Sequence, residues 1–255
     1  TTAGTGSEAT SNAVISNIGL NGFKCSLRHE NYIPDIAIID PRLALSCPSH
    51  ITAACGMDTL TQLIEAYISP KASIMTDSLI EKVMPFVKNS LIDAVKQGDR
   101  NIGARSSMAY ASFISGIVLS NAGLGVVHGI ASLLGAAYPI PHGVVCGTLL
   151  APATKITIDK ILRESPGSSG LSKYVSIARM ITGSQSTDYK GLCEKLVDEL
   201  ENLTSSTGVK TLADYGVNPD HIDHLLNNQN CNKNNPVQLT TDEISEIISY
   251  RTNGN

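Results

Sequence analysis

SHITAACGMDTLTQLIEAYIS, residues 49–69, is the stretch on which the reading of this chain turns. Its apolar residues recur three and four apart, the spacing of a helix, behind a capping Ser49 that follows Cys47-Pro48. Upstream the texture differs: the β-branched runs Ala13-Val14-Ile15 and Ile36-Ala37-Ile38-Ile39 are separated by Gly and Asn breakers and read as strands, the second of them buried. Downstream the helical spacing continues. A second helix is predicted from Thr76 or Asp77 to about Gln97, with Leu79, Ile80, Val83, Met84, Val87 and Leu91 on its inner face, and a third from Asn101 to Asn121. Gly123-Leu-Gly-Val-Val-His128 opens a helix to Ala137, and Pro139 and Pro141 break it before His142 begins the next. Further helices are expected near 172–182, 189–205, 219–226 and 241–250, with an Asn-rich loop over 227–236. The spacing shows no repeat of fixed period.

Composition narrows the function classes. Lys+Arg total 19 against 23 Asp+Glu, a net charge of −4 with no run of one sign, which argues against an electrostatic nucleic-acid or anionic-membrane binder. With 42% hydrophobic and 16% charged residues, a folded core is expected over most of the 255 residues. The uncharged stretch from Ser106 to Thr154 raises the question of a membrane span, but its Gly, Asn, Ser, Pro and His interruptions favour a buried core. Six cysteines show no short ligand spacing and read as reduced thiols of a cytoplasmic protein. The chain opens at Thr1 without a methionine, in what reads as the middle of a motif, so a fragment of a longer protein is expected.

Four residues stand out chemically. Asp58 and Gln62 lie one turn apart on a single helical face and could share a ligand. His128 and His142 sit near adjacent helix starts, across a Pro-Ile-Pro turn, so their imidazoles could converge. A carboxylate with two neutral imidazoles suits Zn, Fe(II) or Mn. The competing reading makes each His a hydrogen-bonded core residue and the Asp a charge compensating a helix dipole. TTAGTGSE, residues 1–8, offers main-chain amides and hydroxyls that can reach phosphate or ribose, but it matches neither G-x-G-x-x-G nor a P-loop.

TTAGTGSE, IPDIAIIDP, GMDTLTQLIEAYIS and GLGVVHGIASLLGAAYPIPHG, in that order, closely resemble the iron-containing (group III) alcohol dehydrogenase family, as does the tail NNPVQLTTDEISEII. The resemblance implies a mainly α chain: an all-helical, dehydroquinate-synthase-like C-terminal domain over 48–255 that holds metal and substrate. Before it, residues 1–47 would be a short β-containing remnant of an α/β dinucleotide-binding domain whose glycine-rich turn precedes Thr1. It implies NAD or NADP as cofactor, with Thr1, Thr2, Thr5, Thr10 and Lys24 at positions that line the dinucleotide. It also implies a metal, Fe(II) or Zn, held by Asp58, His128 and His142, the two histidines being catalytic.

Two positions depart from that pattern. Gln62 stands where the fourth ligand is histidine, and Ser132 where many members carry a histidine near the reacting carbonyl. An amide oxygen is a neutral, harder donor than imidazole, so with Gln62 as ligand the site is expected to hold Zn or Fe(II) more weakly, by roughly a few kcal/mol on the scale of about 10–16 kcal/mol for four-ligand zinc sites. The ion could thus be lost, leaving a metal-free polar cluster.

The function implied by the resemblance is an NAD(P)-dependent oxidoreductase interconverting a small alcohol and its aldehyde or ketone, a cytoplasmic homo-oligomer without nucleic-acid or membrane partners; residues 1–255 alone are expected to be inactive. The alternatives are a metal-independent carbonyl reductase in which a histidine donates to the carbonyl, and a degenerate, non-catalytic helical module. Substrate identity and the choice between NAD and NADP are not legible in the sequence.

Overall fold

The computed structural model describes residues 2–227 and 229–252. Two strands, β1 (Asn12–Asn17) and β2 (Phe23–Arg28), pair antiparallel from Asn12 opposite Arg28 to Asn17 opposite Phe23. The helices are α1 (Ser49–Ile68), α2 (Ile74–Gln97), α3 (Ile102–Ala122), α4 (Val126–Ala137), α5 (His142–Glu164), α6 (Ser169–Thr182), α7 (Tyr189–Thr207), the short α8 (Ile222–Leu226) and α9 (Thr241–Ser249). The chain is mainly α, with this one hairpin as its sheet among the described residues.

Every residue from Gly56 to Ser69 is buried, so α1 is the central rod of the fold. It packs against α2, α3 and α5, as expected of a helix apolar on nearly all sides. One apolar cluster joins α1 to α2, α3, α6, α7 and one side of α5; a second joins α4, the other side of α5, α8 and α9. The polar residues of α1 that face α4 and α5 therefore lie where the two cores meet. The helix α3 is long and apolar enough to cross a membrane, yet 56% of that window is buried within the fold.

Several expected boundaries shift, each for a local reason. The helix α1 starts on Ser49 itself, behind Pro48, with no side-chain cap. The helix α2 starts at Ile74 because Ser73 and Thr76 form a reciprocal capping box. Gly123, at φ 70°, ends α3, so α4 begins three residues later, at Val126. Residues 36–39 are not a buried strand: Ile36 and Ile38 are 81% and 87% exposed. β1 and β2 pair only with each other, and a β-branched run without a partner strand leaves its amides and carbonyls unpaired, so its propensity goes unused.

Two close approaches position the site. An added Cβ on Gly129 would fall 1.9 Å from the carbonyl oxygen of Cys231, so the Asn-rich loop lies directly on α4. Gly135, also on α4, leaves room for Lys24 of β2, whose Nζ would lie 3.1 Å from a Cβ there.

Candidate metal centre

One face of α1 carries Asp58, Gln62 and Glu65, spaced four and three residues apart and all buried. The second residue of the α4 first turn is Val127, and its N–H donates to Glu65 Oε1 at 2.6 Å, which places a carboxylate at that helix's positive end. Next to it, His128 Nδ1 lies 2.6 Å from Glu65 Oε2. The imidazole is thereby fixed, Nδ1–H towards Glu65 and Nε2 towards Asp58. Pro141 precedes the first residue of α5, His142, and Cys146 follows one turn later on the same face.

Four side chains converge. Asp58 Oδ1 is 3.3 Å from His128 Nε2 and 3.8 Å from His142 Nε2; Cys146 Sγ is 3.8 Å and 3.7 Å from the same two nitrogens. One donor atom from each of the four lies within 4.8 Å of the others. Although buried, Asp58 Oδ1 has no aligned hydrogen-bond partner, a vacancy in its bonding that is costly unless something else satisfies it.

Gln62 does not present its amide oxygen to this cluster. Its Nε2 donates to Asp58 Oδ2 at 3.1 Å and its Oε1 accepts from Ser115 Oγ at 2.7 Å, so the carboxamide braces Asp58 from behind. The reverse orientation would set an amide oxygen against the carboxylate. The fourth side chain whose donor atom gathers with those of Asp58, His128 and His142 is Cys146. The signal for it was the same one-turn spacing that joins Asp58 to Gln62, here from His142 to Cys146; Glu65 likewise follows Asp58 by seven residues.

The N-terminal residues are placed as follows. Thr1 lies outside the described residues, and Thr2 is exposed. Thr5 Oγ1 accepts from the Ser7 amide at 3.3 Å, and the buried Thr10 hydroxyl donates to the Ser7 carbonyl at 3.2 Å, so both are turned to their own segment. Lys24 does reach the cluster, with Nζ 3.2 Å from His142 Nδ1. Ser132 Oγ donates to the His128 carbonyl at 2.8 Å.

Burial penalises charge throughout, and the neighbours decide each outcome. Burial alone would raise the Asp58 carboxyl, but His128 and His142 hold it below its ordinary value. Burial works against charging His128 too, yet Cys146, Asp58 and Glu65 lift it well above 6.5. Burial lowers His142 to about 4, with Asp58 opposing and the cations His128, Lys24 and Lys233 assisting. Burial raises the Cys146 thiol to about 11.

These shifts predict a pH optimum for the metal-free fold. The raised His128 contributes fully below its unfolded value of 6.5 and loses that contribution as pH climbs through the folded value. The lowered His142 contributes fully above 6.5 and loses it as pH falls towards about 4. Thermal unfolding midpoints in chelator should therefore peak around pH 6.5; a midpoint still climbing through pH of about 9 would contradict this assignment.

Comparison with known proteins agrees with this architecture. The pattern described as Fe-containing alcohol dehydrogenase family, C-terminal, matches residues 52–252. The NAD-dependent methanol dehydrogenase of Bacillus methanolicus is 32% identical over 253 residues, covering 97% of this chain and 64% of that protein. The 1-propanol dehydrogenase PduQ of Salmonella typhimurium is 46% identical over 150 residues, 59% of this chain and 40% of that one. A crystal structure of 1,3-propanediol oxidoreductase superposes with a TM-score of 0.86 at 32% identity, over 98% of this chain and 64% of the other. The chain thus spans 40–64% of the length of these relatives.

Proposed function

The chain belongs to the iron-containing alcohol dehydrogenase family, and on that premise we propose that its whole protein is an NAD(P)-dependent oxidoreductase interconverting a small alcohol and its aldehyde or ketone. Residues 48–255 supply the metal and substrate side of the site, and residues 1–47 the end of the dinucleotide-binding domain. In support of that division, Phe23, Ile36 and Ile38 are exposed on the N-terminal portion, apolar surface of a kind that a further layer would cover. Thr1, Thr2, Thr5, Thr10 and Lys24 are the residues proposed for the dinucleotide. The same reading makes the protein a cytoplasmic homo-oligomer.

The observation that carries the reading is the buried, unpartnered Asp58 Oδ1 facing two imidazole nitrogens and a thiol. A carboxylate, two imidazoles and a sulfur are a donor set for Zn or Fe(II). Asp58, His128, His142 and Cys146 would hold the ion, and Gln62 would fix the carboxylate that they share. When bound, the metal supplies Lewis acidity towards the alcohol or carbonyl oxygen while the nicotinamide gives or takes the hydride.

The chain's own residues prepare the site for this. Glu65 keeps the proton of His128 on Nδ1, so that Nε2 is the atom turned inward. His142 starts in the other tautomer: the Lys24 ammonium donates to Nδ1, which leaves the ring proton on Nε2. Lys24 must release Nδ1 before His142 can offer Nε2, so a dinucleotide that draws Lys24 away would free a ligand of the same site. Apolar residues of α4 and α5 pack beside it.

The test is oxidation of NADH or NADPH by the whole protein, reloaded anaerobically with Fe(II) or Zn and offered a series of short aldehydes. Turnover that chelator removes is the expected result. Chelator-resistant turnover would favour the metal-independent reductase, and no turnover under any combination would overturn the oxidoreductase reading.

A further inference from the structure

Lys233 is a cation without a carboxylate beside this site. It is the one non-glycine residue among those described with a positive φ, 47°, a conformation that side chains disfavour and that surrounding structure must impose. Its neighbours impose it. Asn232 donates to the Leu239 carbonyl at 2.9 Å and accepts from the Leu239 amide at 2.7 Å, while Asn234 donates to the Leu124 carbonyl at 3.2 Å and Asn235 to that of Val237 at 2.8 Å. The asparagines that make the loop look featureless in sequence are what hold it in place on α4.

So held, the loop aims the lysine at the site. Nζ donates to the His128 carbonyl at 3.0 Å and to Ser132 Oγ at 3.2 Å, which uses two of its three N–H groups, both on neutral oxygens. The residue as a whole is exposed, while burial of its ammonium holds it below the ordinary lysine value, with Glu65 opposing. Among the described residues no Asp or Glu pairs with it. Glu65 is already engaged with His128, Asp58 belongs to the cluster that would hold the ion, and Lys24, against His142 Nδ1, is the cation assigned above to the dinucleotide. Even with cofactor present, Lys233 is left without a carboxylate partner beside His128.

Resting on the oxidoreductase reading above, we infer that Lys233 selects the substrate: the site takes a short aldehyde or alcohol bearing an acid group at the end away from the reacting carbon, and the Lys233 ammonium receives that anion. Ser132, which accepts from Lys233 and donates to the His128 carbonyl, seats the ammonium and does not itself need to touch substrate.

The experiment compares binding of 4-hydroxybutyrate and of 1-butanol, equal in chain length and different in charge, to the whole protein loaded with Co(II), by calorimetry and by the visible cobalt spectrum. The expected preference for the acid is about tenfold or more, as for a hydrogen bond to a charged group, and it shrinks with added salt. Lys233→Gly removes the ammonium and relieves the positive φ, so a folding defect is not a confounding outcome; it should bring the ratio near parity, whereas Lys233→Arg should retain a preference. Equal binding of the two compounds by the parent, or a preference that survives Lys233→Gly, overturns the inference alone. Failure of the parent to take up Co(II) overturns the metal-centre reading, and the inference with it.

Discussion

Metal uptake at pH about 7.5 should release close to two protons in the parent protein and close to one in Cys146→Ala. The count follows from the four inward groups. Asp58 is held below its ordinary value and His142 is lowered to about 4, so neither carries a proton that must leave; His142 has only to move its ring proton between nitrogens. His128 is raised well above 6.5 and the Cys146 thiol to about 11, so each must lose a proton before it can bind an ion. A metal-bound thiol is deprotonated outright. Calorimetric titration in buffers of differing ionisation enthalpy reads this number directly. Losing one ligand of four should also weaken affinity by roughly a hundredfold or more, scaled from about 10–16 kcal/mol for a complete zinc site. If Cys146→Ala keeps both the proton count and the affinity, the sulfur is a bystander and the fourth corner belongs to another group, with a rotated Gln62 the first to try.

That comparison also bears on what the sequence could disclose. Asp58, His128 and His142 were legible because each sits at a helix feature that local rules identify: a central turn, a helix opening, and a start behind Pro141. Gln62 was legible as a neighbour of Asp58, but not the direction of its carboxamide, which Ser115 sets from α3, fifty-three residues away. Cys146 was hidden by expectation, since a lone cysteine in an apolar helix is most often inert packing, and only the approach of α1 to α5 turns it into a donor. Lys233 was less accessible still. Its role depends on a left-handed backbone state and on contacts to Leu124 and Leu239, none of which leaves a periodic trace. The helices themselves were readable from spacing because the cores lie along their stripes. The run at 36–39 was misread because strand propensity says nothing about whether a partner strand exists.

Glu65→Gln should fold and yet hold metal about 10–100-fold more weakly, although Glu65 is not among the ligands. In the parent both carboxylate oxygens are engaged: Oε1 accepts from the Val127 amide at the start of α4, and Oε2 from His128 Nδ1. Glutamine can reproduce the first bond with its amide oxygen. Its NH2 group then faces His128 Nδ1, which can only accept, so the neutral ring must carry its proton on Nε2, directly against Asp58 Oδ1. The nitrogen that should meet the ion is blocked, while packing and helix capping survive. Glu65→Ala differs in kind: it strands a buried imidazole and leaves the α4 amide unpaired, and breaking such a buried pair costs about 3–5 kcal/mol of stability. Nitrogen-15 NMR of the His128 ring distinguishes the tautomers directly. Glu65→Gln with Nδ1 still protonated and metal affinity unchanged would mean that Glu65 serves only to cap α4, and that the orientation of His128 is set by the packing of α4 on α1.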